Sequence, residues 1–197
     1  MTLCPARFEQ RAAIGRVLEE EGGYLPIGLD HYARPDDELA RAARCRTMHR
    51  SFQGYTTDAA PALIGIGASA VGCLPQGYVQ NESSVPAYSA AIRAGHAATA
   101  RGVALSPDDR LRRAVIEALM CDLKADLPAI AAAYQADPAS LNIAAALTRF
   151  ETDGLVIRHG GIIRVTERGR PFVRNVAAMF DVYLNQEEIR PRHAQAV

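Results

Sequence analysis

The sequence is informative first through what it lacks. Its 197 residues include no tryptophan and one lysine, and its 22 basic and 22 acidic residues leave no net charge. This balance disfavours a strongly basic nucleic-acid or membrane-surface protein. No apolar run reaches the length of about 18 residues that a membrane span needs. The charged N-terminus has no apolar core of the secretory type, so no signal peptide is predicted.

The spacing of potential metal ligands matches no known metal-binding motif. No Cys-x-x-Cys pair occurs, and none of the five histidines has ligand spacing with another histidine or a cysteine. Scattered single thiols do not form a disulfide framework and suit a reducing cytoplasm. We therefore expect a cytoplasmic protein that builds no metal site by itself. The cysteines are Cys4, Cys45, Cys73 and Cys121.

The first half of the chain, to about residue 105, predicts one helix, one strand and a second short helix. Apolar residues at helical spacing lead to Gly22-Gly23, a typical helix end. Tyr24–Leu29 is predicted as a strand, with Pro26 requiring an edge or irregular position. Residues 30–38 read as a loop that opens a helix to about Arg44. One strand cannot form a sheet, so this half is not predicted to be a free-standing domain.

The second half predicts three helices, a hairpin and a closing helix. Ser106, Pro107 and Asp109 form a helix start with a capping-box pattern. Helices follow near 128–134 and 138–154, and Gly160-Gly161 predicts the turn of a hairpin. This order is typical of a winged helix-turn-helix. Residues expected to face inward are Leu111, Val115, Ala118 and Leu119 in the first helix and Phe172, Val176, Phe180 and Tyr183 after a cap at Thr166.

Two local patterns admit a chemical interpretation. Gly65, Gly67 and Ala70 match a dinucleotide fingerprint by letter, but the motif needs a strand before it and a helix starting on it. Because Pro61 and Pro75 disfavour both, a tight glycine-rich turn is the favoured interpretation. Asp30-His31 could form an acid–base pair, but neighbours on a strand point apart.

A winged helix also raises the possibility of DNA binding. The presumed recognition helix carries Arg149 beside Glu151 and Asp153, and the domain has no net charge, whereas DNA binding requires several phosphate contacts. Binding to nucleic acid is therefore disfavoured, and a protein-contacting module remains open. Arginines near the wing support the DNA alternative: Arg158, Arg164, Arg168, Arg170 and Arg174.

Five strings, in this order and spacing, resemble the C-terminal portion of the oxygen-independent coproporphyrinogen III oxidases, or coproporphyrinogen dehydrogenases. The resemblance covers nearly the whole chain. It implies an α/β region holding the last elements of an open (β/α) barrel, followed by a mainly α, winged-helix-like domain. The corresponding domains are 1–105 and 106–184, with a tail at 185–197. The strings are Gly28–Ala40, His49–Thr57, Gly65–Val71, Arg101–Ser106 and Asp108–Arg113.

The family resemblance implies a radical S-adenosylmethionine enzyme of haem biosynthesis. Such enzymes oxidatively decarboxylate two propionates of coproporphyrinogen III to give protoporphyrinogen IX, and a 4Fe–4S cluster generates the radical. Phe52, Gln53 and Val71 match family positions close to S-adenosylmethionine. A Gln amide and apolar side chains suit that ligand's polar and apolar parts.

One departure from the family bears on activity. The Cys-x3-Cys-x2-Cys motif that holds the cluster is absent from this sequence. We therefore expect no cluster on this chain alone and no activity without an N-terminal radical S-adenosylmethionine polypeptide. The sequence looks like a gene fragment or one part of a split enzyme. The alternative is a winged-helix module that binds protein or DNA.

Overall fold

The structure is a computed structural model that describes residues 5–52 and 54–184 and has a mixed α/β fold. The chain separates into two compact units, Met1–Asp58 with Leu111–Val197 and Ala59–Arg110. The predicted family domains, 1–105 and 106–184, follow a different division and stay predictions. The predicted tail, 185–197, lies outside the described residues. Within the described part, no helix is long and apolar enough to cross a membrane.

The first stretch of the first unit alternates helices with short antiparallel hairpins. The predicted helix end is confirmed, because Gly22 donates its N–H to the Val17 carbonyl at 3.0 Å and Gly23 has a φ of +65°. Asp37 caps the next helix by accepting from the Leu39 N–H at 2.7 Å. The elements are α1 (Pro5–Arg16), a π-helical turn (Val17–Glu21), β1 (Leu25–Ile27), β2 (His31–Ala33), α2 (Glu38–Cys45), β3 (His49–Ser51) and β4 (Gly54–Thr56).

The loop prediction for residues 30–38 is wrong at its start. Residues 31–33 form β2, which pairs antiparallel with β1, so that Pro26 lies opposite Tyr32. A three-residue strand carries no alternating apolar pattern that the sequence could reveal. β2 is defined by its pairing with β1. In this two-stranded sheet both strands are edge strands, so Pro26 lies at an edge.

Residues 106–184, of which 106–110 belong to the second unit, contain the predicted three helices and hairpin, with one additional strand. The capping box is confirmed, since Ser106 Oγ accepts from the Asp109 N–H at 3.1 Å and Asp109 Oδ2 accepts from the Ser106 N–H at 2.9 Å. The additional strand, β8 (Lys124–Asp126), extends the hairpin of β9 (Val156–His159) and β10 (Ile162–Val165) to a sheet of order β8-β10-β9. The elements are α4 (Pro107–Asp122), β8 (Lys124–Asp126), α5 (Leu127–Ala133), a 3₁₀ turn (Pro138–Leu141), α6 (Ala144–Thr152), β9 (Val156–His159), β10 (Ile162–Val165), a 3₁₀ turn (Arg170–Phe172) and α7 (Val173–Ala178).

Most residues of the main hydrophobic cluster of the first unit belong to this helical stretch. In the predicted stripe of α4, Leu111, Val115 and Leu119 are buried and Ala118 is partly buried against the same cluster. One residue of the first stretch, Leu29, also belongs to this cluster. Val176 and Phe180 are fully buried, but Tyr183 is 46% exposed, so its predicted inward position is wrong. The reason is that α7 ends at Ala178, before its periodicity reaches residue 183. Fully buried members include Leu119, Leu147, Ile163, Val173 and Phe180.

The second unit contains a three-stranded antiparallel sheet and one helix. Its strands were not predicted, because glycines and polar residues interrupt any apolar alternation and the last strand is exposed along its whole length. All strand pairs described in the two units are antiparallel, so a parallel barrel sheet is not confirmed. The elements are β5 (Val71–Leu74), β6 (Gly77–Asn81), α3 (Val85–Arg93) and β7 (Thr99–Ala104).

Candidate functional site

The hairpin of β3 and β4 presents Phe52 at its tip. Ser51 pairs with Gly54, so Phe52 lies directly at the end of β3, where the two strands connect. The Phe52 side chain is 68% exposed. Gln53 lies outside the described residues. A large aromatic side chain held in solvent at a tight turn is available for contact with a ligand or another polypeptide.

The base of this hairpin is held by the buried side chain of Tyr55. Its hydroxyl accepts from the Leu29 N–H at 2.9 Å and donates to the Met120 carbonyl at 3.0 Å. The Arg50 guanidinium lies 4.8 Å from the ring centroid, a cation–π distance. Burial raises the pKa of Tyr55, so the hydroxyl stays protonated and keeps donating to Met120. One residue thus ties β4 to α4 and to the turn after β1.

That turn, Gly28–Asp30, is fixed by three side chains distant in the sequence. Besides Tyr55, Arg11 Nη2 donates to the Leu29 carbonyl, and Arg170 Nη1 donates to the Gly28 carbonyl at 3.4 Å. Gly28 has a φ of +55°, and a Cβ there would lie 2.6 Å from Tyr55 Cε1 and closer still to Cζ and Oη. The glycine is therefore required by both the backbone conformation and the approach of the ring.

Asp30 and His31 do contact each other, against the prediction that they point apart. His31 Nδ1 lies 2.9 Å from Asp30 Oδ1, and the His31 ring meets the Tyr55 ring edge-on with centroids 5.0 Å apart. The prediction failed because Asp30 belongs to the turn, so strand alternation does not separate the two side chains. The carboxylate holds the ring through Nδ1, an arrangement that suits proton transfer or anion binding.

Val71 lies in the second unit, at the first position of β5. It pairs with Gln80 and is partly buried. A Cβ on Gly65 would lie 2.7 Å from the Val71 carbonyl oxygen, so the glycine permits close backbone packing. The loop before Val71 is further held by Asn81 Nδ2, which donates to the Gly65 and Gly67 carbonyls at 3.0 Å each. A strand follows this loop, so the helix that a dinucleotide fingerprint needs is missing, as expected for a tight glycine-rich turn.

A second titratable group of residues lies where α4 meets β3. Glu117 Oε1 lies 3.2 Å from His49 Nδ1 and accepts from the Arg50 N–H at 3.4 Å. Burial, aided by the carboxylates of Glu117 and Asp122, raises the pKa of the Cys121 thiol from 9.0 to about 12. Burial likewise raises the pKa of Asp122.

We expect Cys121 to resist alkylation in the folded protein. With the pKa of Cys121 raised from 9.0 to about 12, its thiolate fraction at pH 8 falls by roughly a thousandfold, and the thiolate is the reactive form. Cys45 is exposed and is the internal control. Iodoacetamide labelling followed by peptide mass spectrometry measures both. Labelling of Cys121 at the rate of Cys45 in the native protein would contradict the assignment.

The described residues do not offer a ligand set for an iron–sulfur cluster. Cys45 and Cys121 are free thiols, and within residues 5–52 and 54–184 no group of three His, Cys, Asp or Glu side chains is arranged to hold a metal. A 4Fe–4S cluster needs several thiolates brought together. This part of the chain therefore does not fit the cluster.

Comparison with known proteins identifies relatives of this chain. Residues 105–172 match the family model of the HemN C-terminal domain. The chain is 48% identical to the oxygen-independent coproporphyrinogen III oxidase of Bradyrhizobium diazoefficiens, over 98% of this chain and 42% of the relative. The chain matches the C-terminal portion of the oxygen-independent coproporphyrinogen III oxidases. The predicted resemblance is confirmed.

Two further relatives show the same partial coverage. Coproporphyrinogen III oxidase, anaerobic 1, of Cereibacter sphaeroides is 38% identical over 99% of this chain and 43% of its own length. The structure of the Escherichia coli coproporphyrinogen III oxidase HemN, a radical SAM enzyme, matches with a TM-score of 0.81 and 37% identity. That match covers 87% of this chain and 40% of HemN. The chain thus spans about two fifths of the length of these coproporphyrinogen III oxidases.

The predicted ligand contacts of Phe52, Gln53 and Val71 stay predictions. The contacts that support the hairpin, chiefly those of Tyr55 and Glu117, were not predicted from the sequence. Tyr55 lies inside the His49–Thr57 string, so the family resemblance marked its segment but not its role. Glu117 lies in a helix whose periodicity gives no sign that it reaches β3.

Proposed function

We propose that the chain serves as the C-terminal portion of an oxygen-independent coproporphyrinogen III oxidase and acts with an N-terminal radical S-adenosylmethionine polypeptide. The observation that carries the proposal is 48% identity across 98% of the chain to a protein of that name. The proposed substrate is coproporphyrinogen III, and the proposed compartment is the cytoplasm. The cluster, held by the other polypeptide, would supply the electron that generates a radical from S-adenosylmethionine.

The contribution proposed for this chain is a set of contacts with S-adenosylmethionine. The exposed Phe52 ring fits an aromatic or apolar part of that ligand, and Tyr55 and Glu117 hold the hairpin that carries it. Val71, in the second unit, is proposed as a separate aliphatic contact. Gln53 would add an amide to fix polar groups of the ligand.

We propose winged-helix and barrel assignments for the two family domains. A winged-helix domain at 106–184 is supported by the order helix–strand–helix–helix–hairpin and by the sheet β8-β10-β9. Residues 1–105 would complete an open (β/α) barrel only with strands from another polypeptide, because their own strands pair in antiparallel fashion.

A DNA-binding role is not favoured. Arg158 of the hairpin donates to Glu151 of α6 at 3.0 Å, so the charge of this arginine is offset within the fold. DNA binding needs several arginines or lysines that neutralise phosphates.

Reconstitution tests the proposed enzyme function. The chain is mixed anaerobically with an N-terminal polypeptide carrying the cluster motif, a reductant, S-adenosylmethionine and coproporphyrinogen III, and protoporphyrinogen IX is measured after oxidation to the fluorescent porphyrin. We expect turnover only when both polypeptides are present, with at least a tenfold loss for Phe52→Ala through lost ligand contact. Tyr134→Ala removes another exposed aromatic residue and is the matched control. No turnover by the wild-type pair would contradict the proposal, whereas an active Phe52→Ala variant would remove only the Phe52 assignment.

A further inference from the structure

A groove in the first unit gathers basic and polar side chains beside the Gly28–Asp30 turn. Its volume is about 230 Å³, and it lies between α1, the start of β2 and the segment 167–171. Two acidic residues, Glu19 and Glu167, also line it, so its formal charge is +1 with histidine neutral. We call it the arginine groove, after the lining residues Arg11, Arg16 and Arg170, which are joined by Leu29, His31 and Tyr32.

Two of the three arginines are held in place by the protein. Arg170 donates to Glu167 at 3.2 Å and to the Gly28 carbonyl at 3.4 Å, and Arg11 donates to the Leu29 carbonyl. Bonding to a carbonyl leaves the charge of Arg11 uncompensated, and a guanidinium has five N–H donors. Arg11 is thus a positioned cation with further N–H groups available to a ligand, whereas the charge of Arg170 is largely neutralised by Glu167.

Arg16 is the cation most available to a ligand. Its side chain is exposed, and within the described residues it makes no hydrogen bond or ion pair, including with Glu19 one turn along the helix. Arg11 and Arg16 follow one another on α1 at a spacing of five residues, and both line the groove. Two guanidinium groups can therefore address the same anion.

The close approach of Tyr32 to α1 brings a third donor to the groove. Gly15 lies within the helix, where glycine costs roughly 0.5–1 kcal/mol relative to alanine. A Cβ at Gly15 would lie 2.8 Å from Tyr32 Oη, so the glycine admits the hydroxyl against the helix. Tyr32 Oη has no hydrogen-bond partner within the described part of the chain. His31, oriented by Asp30, lines the same groove.

We propose that the arginine groove binds a carboxylate group, with Arg16 and Arg11 as its cationic donors and Tyr32 as a neutral one. Arginine binds carboxylates through paired, charge-assisted hydrogen bonds. The groove is smaller than the roughly 300–1,000 Å³ of sites that enclose a whole drug-sized ligand. It therefore fits one carboxylate arm of a larger molecule. The identity of this arm rests on the proposed function: it is a propionate of the tetrapyrrole coproporphyrinogen III. A free small anion would use the same donors.

A binding experiment on the 197-residue chain tests this site without cluster, S-adenosylmethionine or turnover. Coproporphyrin III, a stable oxidised tetrapyrrole with four propionates, is titrated by fluorescence and calorimetry, and inorganic phosphate and propionate are titrated separately. The variants are Arg16→Gln, which removes the charge, and Arg16→Lys, which keeps it but not the paired donors. Arg174→Gln, an exposed arginine on α7, is the matched control. Circular dichroism confirms that each variant is folded.

The expected result is about a tenfold increase in the coproporphyrin Kd for Arg16→Gln, a smaller increase for Arg16→Lys and no change for Arg174→Gln. Competition by excess phosphate is also expected. Binding of phosphate or propionate that depends on Arg16, without binding of coproporphyrin, supports the site but assigns it to a free small anion. Coproporphyrin binding that is unchanged in Arg16→Gln, or no binding of any of these anions, overturns the proposal. A failed reconstitution leaves this readout unaffected, so the two proposals fail separately.

Discussion

Replacing Gly28 with alanine is expected to lower the free energy of unfolding by about 3 kcal/mol, combining an unfavourable positive φ with overpacking of a buried ring. The backbone at Gly28 has a φ of +55°, and a Cβ would overlap Tyr55. The ring cannot retreat freely, because its hydroxyl is bonded to both Leu29 and Met120. Urea unfolding followed by far-UV circular dichroism measures the loss.

Gly23→Ala is the matched control for the Gly28 variant. Gly23 has a similar φ of +65°, but no atom lies within 4 Å of the position that its Cβ would take. Its substitution is expected to cost only the backbone strain, about 1 kcal/mol. Equal decreases in the free energy of unfolding for Gly28→Ala and Gly23→Ala would show that overlap with Tyr55 does not contribute to the destabilisation.

A double variant separates the clash from the loss of the tyrosine. Tyr55→Ala alone leaves the Leu29 N–H and the Met120 carbonyl without their partner, which costs about 1–3 kcal/mol for each group that stays buried. Combined with Gly28→Ala, it removes the ring that the new methyl group would meet. The stability losses of the two single variants are therefore expected to sum to more than the loss in the double variant, because the effects of substituting residues in contact are not additive.

The site depends on contacts that no local pattern in the sequence encodes. Tyr55 is 26 residues from Leu29 and 65 residues from Met120, yet its hydroxyl joins both. Local rules predict helix caps and turns because their determinants lie within a few residues. The reciprocal bonds of Ser106 and Asp109 and the Gly160-Gly161 turn are confirmed for that reason.

Three strands, β2, β3 and β7, were missed for a related reason. β2 and β3 are only three residues long, and β7 is exposed throughout, so apolar alternation is absent from all three. Each exists because a partner strand supplies its hydrogen bonds, and that partner is visible only in the fold. In contrast, the α4 stripe was predictable because one buried face repeats over 16 residues.

The family resemblance supplied what physical patterns could not. It directed attention to Phe52, Gln53 and Val71, whose residue types alone would suggest ordinary packing. Conversely, it did not mark Arg16, and it marked the segment of Tyr32 but not its position beside Arg16 in the groove. Sequence strings identify the family, while the donors available to a ligand become apparent only from the three-dimensional arrangement.

Phe180→Ala is expected to lower the free energy of unfolding of the first unit by about 3–5 kcal/mol, the typical cost of removing a buried aromatic side chain. Phe180 is fully buried in a cluster with α4, the hairpin and α7. Tyr183→Ala, three residues further on, removes an aromatic side chain that is 46% exposed and is expected to change stability by no more than about 0.5 kcal/mol. Urea unfolding measures both variants, and hydrogen exchange of the β10 amides reports on the first unit specifically.

We expect residues 105–172, which match the family model, to be incomplete as a folding unit. The family model ends at residue 172, but Val173, Val176 and Phe180 contribute fully buried side chains to the core that the model's helices build. A chain ending at Phe172 would expose the surfaces that these side chains cover, and we expect it to lose cooperative unfolding and β10 protection. Retention of native hydrogen exchange in that shortened chain, or equal effects of Phe180→Ala and Tyr183→Ala, would show that α7 and the residues after it are dispensable to the core.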